Sequence, residues 1–251
     1  MNPLVYYPSR FLSWAFVKLL FLYSVRGRAH EPREGPLLLV GNHASFLDPL
    51  LLGLAVRRQA RFIARSTLAT RKTASWWLRN VGTLLIDRDA PSHKVLDTAI
   101  EHLERGEAIA LFPEGTRTRT GEVAEFKRGL LLMVKKTSAT VLPIGISGSF
   151  AAWPRGRRLP RWFRRCRASV GEAMSAAELL REGGLEELRR RVAALAGVPL
   201  AAPGKPLAQN PHSSAPDGGS LPPAGATQDQ RPDGPAAMSN RDLPNGARST
   251  G

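Results

Sequence analysis

Between Leu37 and Ala196 short apolar runs alternate with longer stretches of helical periodicity. That alternation narrows the chain to an α/β fold more than any other feature does. Residues 37–40, 61–64, 82–86, 108–112 and 140–146 read as strands, and 49–57, 70–79, 92–105 and 127–136 as the helices between them. A last strand near 167–170 and a helix over 185–196, set off from a shorter helix by Gly183 and Gly184, complete the body. At 43% hydrophobic and 23% charged residues, the 251-residue chain has enough apolar material for one sizeable core, which excludes a collagenous, wholly disordered or disulfide-stapled protein. Cys166 has no cysteine partner, so it reads as a small apolar residue in a strand, compatible with a reducing compartment.

In open α/β sheets the ligand crevice lies beyond the carboxyl ends of the strands. Two polar clusters fall there. Gly41-Asn42-His43-Ala44-Ser45-Phe46-Leu47-Asp48-Pro49 follows the first strand, and Phe112-Pro113-Glu114-Gly115-Thr116-Arg117-Thr118 follows the strand over 108–112. His43 and Asp48 are five residues apart, which on one continuous helix sets them about 140° round the axis from each other. A turn is needed to bring them together. Asp48 precedes Pro49, a context that reads as a helix N-cap, so the intervening residues form a loop on which the imidazole folds back to the carboxylate. An aspartate on one ring nitrogen fixes the tautomer and leaves the other free to accept a proton. No serine or cysteine sits in a G-x-S-x-G elbow, so a nucleophile must come from the substrate as a hydroxyl.

The net charge of +15 favours a polyanionic partner. From about residue 201 the chain is rich in Pro, Gly, Ala and Ser. Its four basic residues (Lys205, Arg231, Arg241, Arg248) are balanced by four acidic ones (Asp217, Asp229, Asp233, Asp242), so residues 201–251 read as a disordered tail and all the excess charge belongs to the body. Residues 11–25 are apolar apart from Ser13, Lys18 and Ser24. The stretch is short for an untilted span and lacks a small-residue cleavage site, so it reads as an interfacial helix starting near Pro8 and Arg10, within a membrane-associated segment 1–30, with a helix docked on the protein's own core as the alternative. A second basic feature, residues 153–167, holds seven arginines with Trp153, Trp162 and Phe163 and no acid. It suits anionic headgroups, nucleic-acid bases or plain solvent, and nothing in the sequence sets it beside the N-terminal segment.

The order of four blocks, N-H-x-x-x-x-D at Asn42 to Asp48, G-x-x-x-I-D-R at Gly82 to Arg88, F-P-E-G-T-R at Phe112 to Arg117 and V-L-P-I-G-I at Val141 to Ile146, resembles the glycerolipid acyltransferase family. The resemblance implies a single α/β domain over 31–200 with a mixed sheet flanked by helices. It also implies acyl transfer from acyl-CoA or acyl-carrier protein to the free hydroxyl of a 1-acyl-glycerol-3-phosphate. By it, His43 and Asp48 are catalytic, and Glu114 and Arg117 bind the acceptor phosphate. On physical grounds Glu114 is expected to orient Arg117 and not to touch phosphate itself. Gly115 is expected to let backbone approach the anion, with Thr116 in the same turn and Arg88 and Lys127 adding charge. The expected partners are a lysophospholipid, an acyl thioester and an anionic membrane surface at the cytoplasmic face of the cell membrane, with no nucleic acid, metal or cofactor. A lyso-ornithine lipid is the rival acceptor, and a non-catalytic binding protein is the rival from another class.

Overall fold

The computed structural model describes residues 2–65, 72–86 and 92–202, so the reading of 203–251 as a disordered tail lies outside them. The elements run α1 (Pro3–Phe21), β1 (Ser24–Arg26), β2 (Leu37–Gly41), α2 (Asp48–Ala55), β3 (Ala60–Arg65), α3 (Lys72–Asn80), β4 (Leu84–Ile86) and α4 (Ser92–Glu104). They continue as β5 (Ala108–Leu111), α5 (Gly129–Thr137), β6 (Thr140–Ser147), α6 (Ser149–Ala152), β7 (Arg167–Val170), α7 (Ala176–Leu180) and α8 (Gly184–Ala196). One sheet results, in the order β1-β7-β6-β2-β5-β3-β4, parallel throughout except for the antiparallel pair β6–β7. The mixed α/β sheet expected from the sequence is therefore present.

β2 lies at the centre and all five of its residues are buried, as an unbroken apolar strand covered on both faces requires. Leu37 and Leu39 point into a core built with Val17 and Phe21 of α1 and Leu51 and Leu52 of α2. Leu38 and Val40 point the other way, into a core with Leu103, Val134, Leu188 and Val192. Pro143 is tolerated inside β6 because the ladder with β7 runs from Ser147–Arg167 to Ile144–Val170 and ends one residue short of it. At that level Pro143 needs no N–H, and its carbonyl accepts from Gly171 N at 2.9 Å.

Two boundaries differ from expectation. α1 begins at Pro3 and not near Pro8, because Asn2 caps it by accepting from Leu4 N at 3.0 Å and Pro3 occupies the first turn. The helix ends at Phe21, and Ser24–Arg26 then pairs with β7, so the N-terminal segment is not separate from the body at residue 30. Three residues of mixed polarity carry no strand periodicity to read.

The C-terminus of α2 is closed by arginines from elsewhere. Arg10 of α1 donates to the carbonyls of Gly53, at 2.8 Å, and Val56; Arg28 donates to those of Ala55, at 2.9 Å, and Leu54, at 2.8 Å. Cations on the last carbonyls of a helix satisfy orphan acceptors and complement its dipole. Arg10 thereby also ties α1 to the helix whose other end carries Asp48.

The glycine of V-L-P-I-G-I has a steric reason. A Cβ on Gly145 would lie 2.1 Å from Ala196 N and 2.3 Å from Leu195 C, because the backbone of α8 rests directly on β6. Neither neighbour is a flexible side chain that could yield. Gly145→Ala is expected to cost about 3 kcal/mol or more, at the upper end of overpacking effects. Urea unfolding followed by circular dichroism checks this through a large fall in the midpoint.

Candidate active site

The loop after β2 opens with Asn42, whose side-chain amide continues the β2–β6 ladder. Its Nδ2 donates to Ile146 O at 3.0 Å and its Oδ1 accepts from Ile146 N at 2.7 Å. The first residue past the strand is therefore still held in sheet register.

His43 follows and is held on every side. Its N–H donates to Glu114 Oε1 at 2.7 Å, its carbonyl accepts from Thr118 N at 2.9 Å, and its ring stacks on Phe112 with centroids 4.2 Å apart. Nδ1 lies 3.1 Å from Asp48 Oδ2. That one oxygen also accepts from Ala44 N and Ser45 N, each at 2.6 Å, so the carboxylate closes the loop by gathering three donors. Asp48 is fully buried as the first residue of α2, where a negative charge is favoured. The expected pairing of His43 with Asp48 is present. The N-cap assignment is corrected, because Asp48 binds back toward residues 43–45 and the cap position is Leu47, which makes no side-chain hydrogen bond. Among the described residues Nε2 of His43 takes no hydrogen bond, and the ring lines an apolar groove of about 1040 Å³ walled by Phe62, Leu78, Ile86, Leu96 and Met133.

Glu114 is placed differently from expectation. It is 1% exposed, and its two oxygens accept from His43 N and from Ala124 N, the latter at 3.2 Å, with no bond to Arg117. A carboxylate engaged this way neither binds phosphate nor orients the arginine; it pins the histidine backbone to the loop before α5. Burial pushes it up to about 7, helped by the charge of Asp48 and opposed by the two backbone N–H donors.

Gly115 is also corrected. Its N–H donates to Phe112 O at 3.0 Å and so does not face an anion. Its φ of 75° favours glycine, and a Cβ there would meet Lys127 Nζ at 2.6 Å. The Lys127 side chain therefore crosses Gly115 and, like His43, lines the groove. Arg117 lies over the Phe46 ring, 3.5 Å from its centroid, with its pKa lowered first by burial and then by the charge of Arg155. Thr116 Oγ1 accepts from Arg155 Nη1 at 3.3 Å. Arg88 lies outside the described residues.

Sequence reasoning gave no role to Asn42, Phe46, Phe112 or Arg155. Asn42 heads the N-H-x-x-x-x-D block, and Arg155 belongs to the basic stretch, so both carried a signal without an assignment. The structure also sets that stretch beside α1. Trp162 packs on Phe21 at 5.6 Å between centroids, and Phe163 N donates to Leu20 O at 2.6 Å.

Residues 23–147 match the family model described as Acyltransferase. The chain is 30% identical over 148 residues to a chloroplastic 1-acyl-sn-glycerol-3-phosphate acyltransferase of Arabidopsis thaliana, 57% of this chain and 41% of that one. It is 27% identical over 139 residues to a 1-acyl-sn-glycerol-3-phosphate acyltransferase of Streptococcus pneumoniae, 52% of this chain and 51% of that one. It is 30% identical over 126 residues to a lyso-ornithine lipid O-acyltransferase of Pseudomonas aeruginosa, 50% and 48% respectively. The chain thus spans about half the length, or less, of these curated relatives. Among solved structures, the 1-acyl-sn-glycerophosphate acyltransferase of Thermotoga maritima matches with a TM-score of 0.59 and 29% identity, covering 76% of this chain and 74% of that one.

Glu114 generates a pH prediction. Between its ordinary 4.5 and about 7, the folded state keeps a proton that the unfolded state has released, so stability declines as pH rises through that window. Glu114→Gln removes this decline and also sets an amide N–H₂ against one of two backbone donors. Urea midpoints measured from pH 4.5 to 7 are expected to show a shallower slope in the variant, with turnover reduced at every pH.

Proposed function

Because the chain belongs to the acyltransferase family through residues 23–147, we propose that it moves a fatty acyl group from an acyl thioester to the free hydroxyl of a 1-acyl-glycerol-3-phosphate. The product is phosphatidic acid, for phospholipid synthesis. The observation that carries this reading is the His43–Asp48 pair with its histidine lining an apolar groove, and Arg117 lying on Phe46, which lines the same groove.

The thioester is acyl-CoA or acyl-carrier protein, and its chain lies along the apolar walls of the groove. Asp48 Oδ2 holds the proton on Nδ1, which leaves Nε2 as the acceptor. Nε2 takes the proton from the acceptor hydroxyl as that oxygen bonds to the thioester carbonyl carbon. The tetrahedral adduct then expels the thiolate, the C–S bond breaks, and the imidazolium returns the proton to sulfur. General base catalysis of this kind contributes on the order of 10² to 10⁴ in rate. Arg117 grips the acceptor phosphate, with Lys127 adding charge. The reaction needs no group beyond the two substrates.

The acceptor is a lipid, and α1 is suited to reach it. Leu4, Phe11, Leu12, Trp14 and Leu19 are exposed along this helix, and Leu159, Trp162 and Phe163 extend the exposed apolar set from the basic stretch, with Arg161, Arg164 and Arg165 also exposed. Among the described residues no helix is long and apolar enough to cross a membrane. We read α1 as lying in the plane of an anionic leaflet on the cytoplasmic face, where soluble acyl thioesters are present. Its inner side, with Val17 and Phe21 buried and Arg10 on α2, keeps the helix docked on the body as well.

Two experiments test this reading. Purified protein given lysophosphatidic acid beside lyso-ornithine lipid, with an acyl thioester, is expected to acylate the first. Under the same conditions His43→Ala should lose nearly all turnover, and Asp48→Asn should lose on the order of a hundredfold or more in kcat. Acylation of the ornithine lipid alone would establish the rival acceptor, and a near-normal rate in either variant would remove the mechanism. For the membrane, Leu12→Glu with Leu19→Glu alters only exposed positions. It should abolish sedimentation with anionic vesicles while leaving the melting temperature unchanged.

A further inference from the structure

Arg155 stands apart from its neighbours in the basic stretch. Arg157, Arg158, Arg161, Arg164 and Arg165 are exposed, whereas Arg155 is half-buried and fixed against the active-site loop. The chain before it is clamped there. Ser45 Oγ donates to Trp153 O at 2.8 Å, Ser45 forms a bridge with Pro154, and the Phe46 and Trp153 rings meet with centroids 5.2 Å apart. Arg155 Nη1 then donates to Thr116 Oγ1, one residue from Arg117, whose own guanidinium rests on that same Phe46 ring.

Two guanidinium groups are therefore held against the loops that follow β2 and β5, the first of which carries His43. Among the described residues neither forms a salt bridge with a carboxylate, and Nη1 of Arg117 is buried with no hydrogen-bond partner. Each charge disfavours the other, as the lowering of Arg117 by Arg155 also indicates. An arrangement with unpaired cations, a buried donor without an acceptor and rigid support is complementary to a doubly charged anion. A phosphomonoester supplies both the charge and the acceptor oxygens, in a geometry that guanidinium forks match.

We propose that Arg155 is a second ligand for the acceptor phosphate and, together with Arg117, selects a phosphomonoester headgroup over one bearing a single carboxylate. This rests on the lysophosphatidic acid reading given above. It assigns the half-buried arginine of the basic stretch to the acceptor site, and leaves the exposed arginines 161, 164 and 165 to the membrane.

The test uses full-length protein and short-chain lysophosphatidic acid below its micelle concentration, so that vesicle binding does not enter the readout. Acceptor affinity is measured by calorimetric titration, and the Michaelis constants of acceptor and donor by steady-state kinetics. The comparison includes wild type, Arg155→Gln, Arg155→Lys and Arg158→Gln, with melting temperatures as a check on folding. Hydrogen bonds to charged groups contribute about 1.5–3 kcal/mol. Arg155→Gln should therefore weaken acceptor binding and raise the acceptor KM by roughly ten- to hundredfold, with the donor KM within twofold. Arg155→Lys, which keeps the charge but loses the fork, should fall between. Arg158→Gln, which removes the same charge from an exposed site, should match wild type.

Equal acceptor affinity in Arg155→Gln and Arg158→Gln, or a parallel rise of both Michaelis constants, would overturn the proposal. If Arg155→Gln melts early, the well-folded Arg155→Lys decides by the same criterion. Failure of the underlying reading shows instead in the wild type, as an inability to bind or acylate lysophosphatidic acid.

Discussion

Asp48 Oδ2 is the atom on which the site depends. By accepting from Nδ1 of His43 and from the backbone N–H groups of Ala44 and Ser45, it turns a five-residue separation into a closed loop and fixes which imidazole nitrogen carries the proton. Carboxylate hydrogen bonds of this kind are short and strong because the acceptor is charged, and the first turn of α2 adds a favourable field. The oxygen joins loop geometry to proton chemistry, so the two cannot be altered separately.

Around that atom the structure builds outward in rigid steps. Asn42 keeps the chain in register with β6 up to the residue before the histidine, and Glu114 ties the histidine backbone to the segment before α5. At the far end of α2, Arg10 and Arg28 close the last carbonyls. One helix thus has the reacting pair at its N-terminus and the N-terminal helix α1 fastened near its C-terminus. On the reading given above, the distance from membrane plane to reacting hydroxyl is then set by a short, capped helix and not by a flexible linker.

The strands and helices between Leu37 and Ala196 were legible because a mostly parallel sheet buried on both faces demands near-continuous apolar runs, with amphipathic helices between them. The His43–Asp48 pair was legible for a local reason, since a proline directly after an aspartate starts a helix and leaves a loop before it. β1 was not legible, because Ser24–Arg26 becomes a strand only through pairing with β7, some 140 residues away. The same holds for Glu114. Arg117, three residues on, carries charge suited to phosphate, but the partners of Glu114 itself, His43 and Ala124, are set by how two loops cross. Arg155 was visible as charge and invisible as position, because the clamp from Ser45 and Phe46 comes from tertiary packing alone.

The central claim is that Asp48 holds His43 with its proton on Nδ1 and its lone pair on Nε2, and ¹⁵N nuclear magnetic resonance of protein labelled at histidine tests this most directly. The account predicts that, at a pH where the ring is neutral, the His43 Nδ1 shift is that of a protonated nitrogen and the Nε2 shift that of a bare one, with this preference lost in Asp48→Asn. A neutral His43 with its proton on Nε2, or one whose tautomer is unchanged by Asp48→Asn, would contradict it.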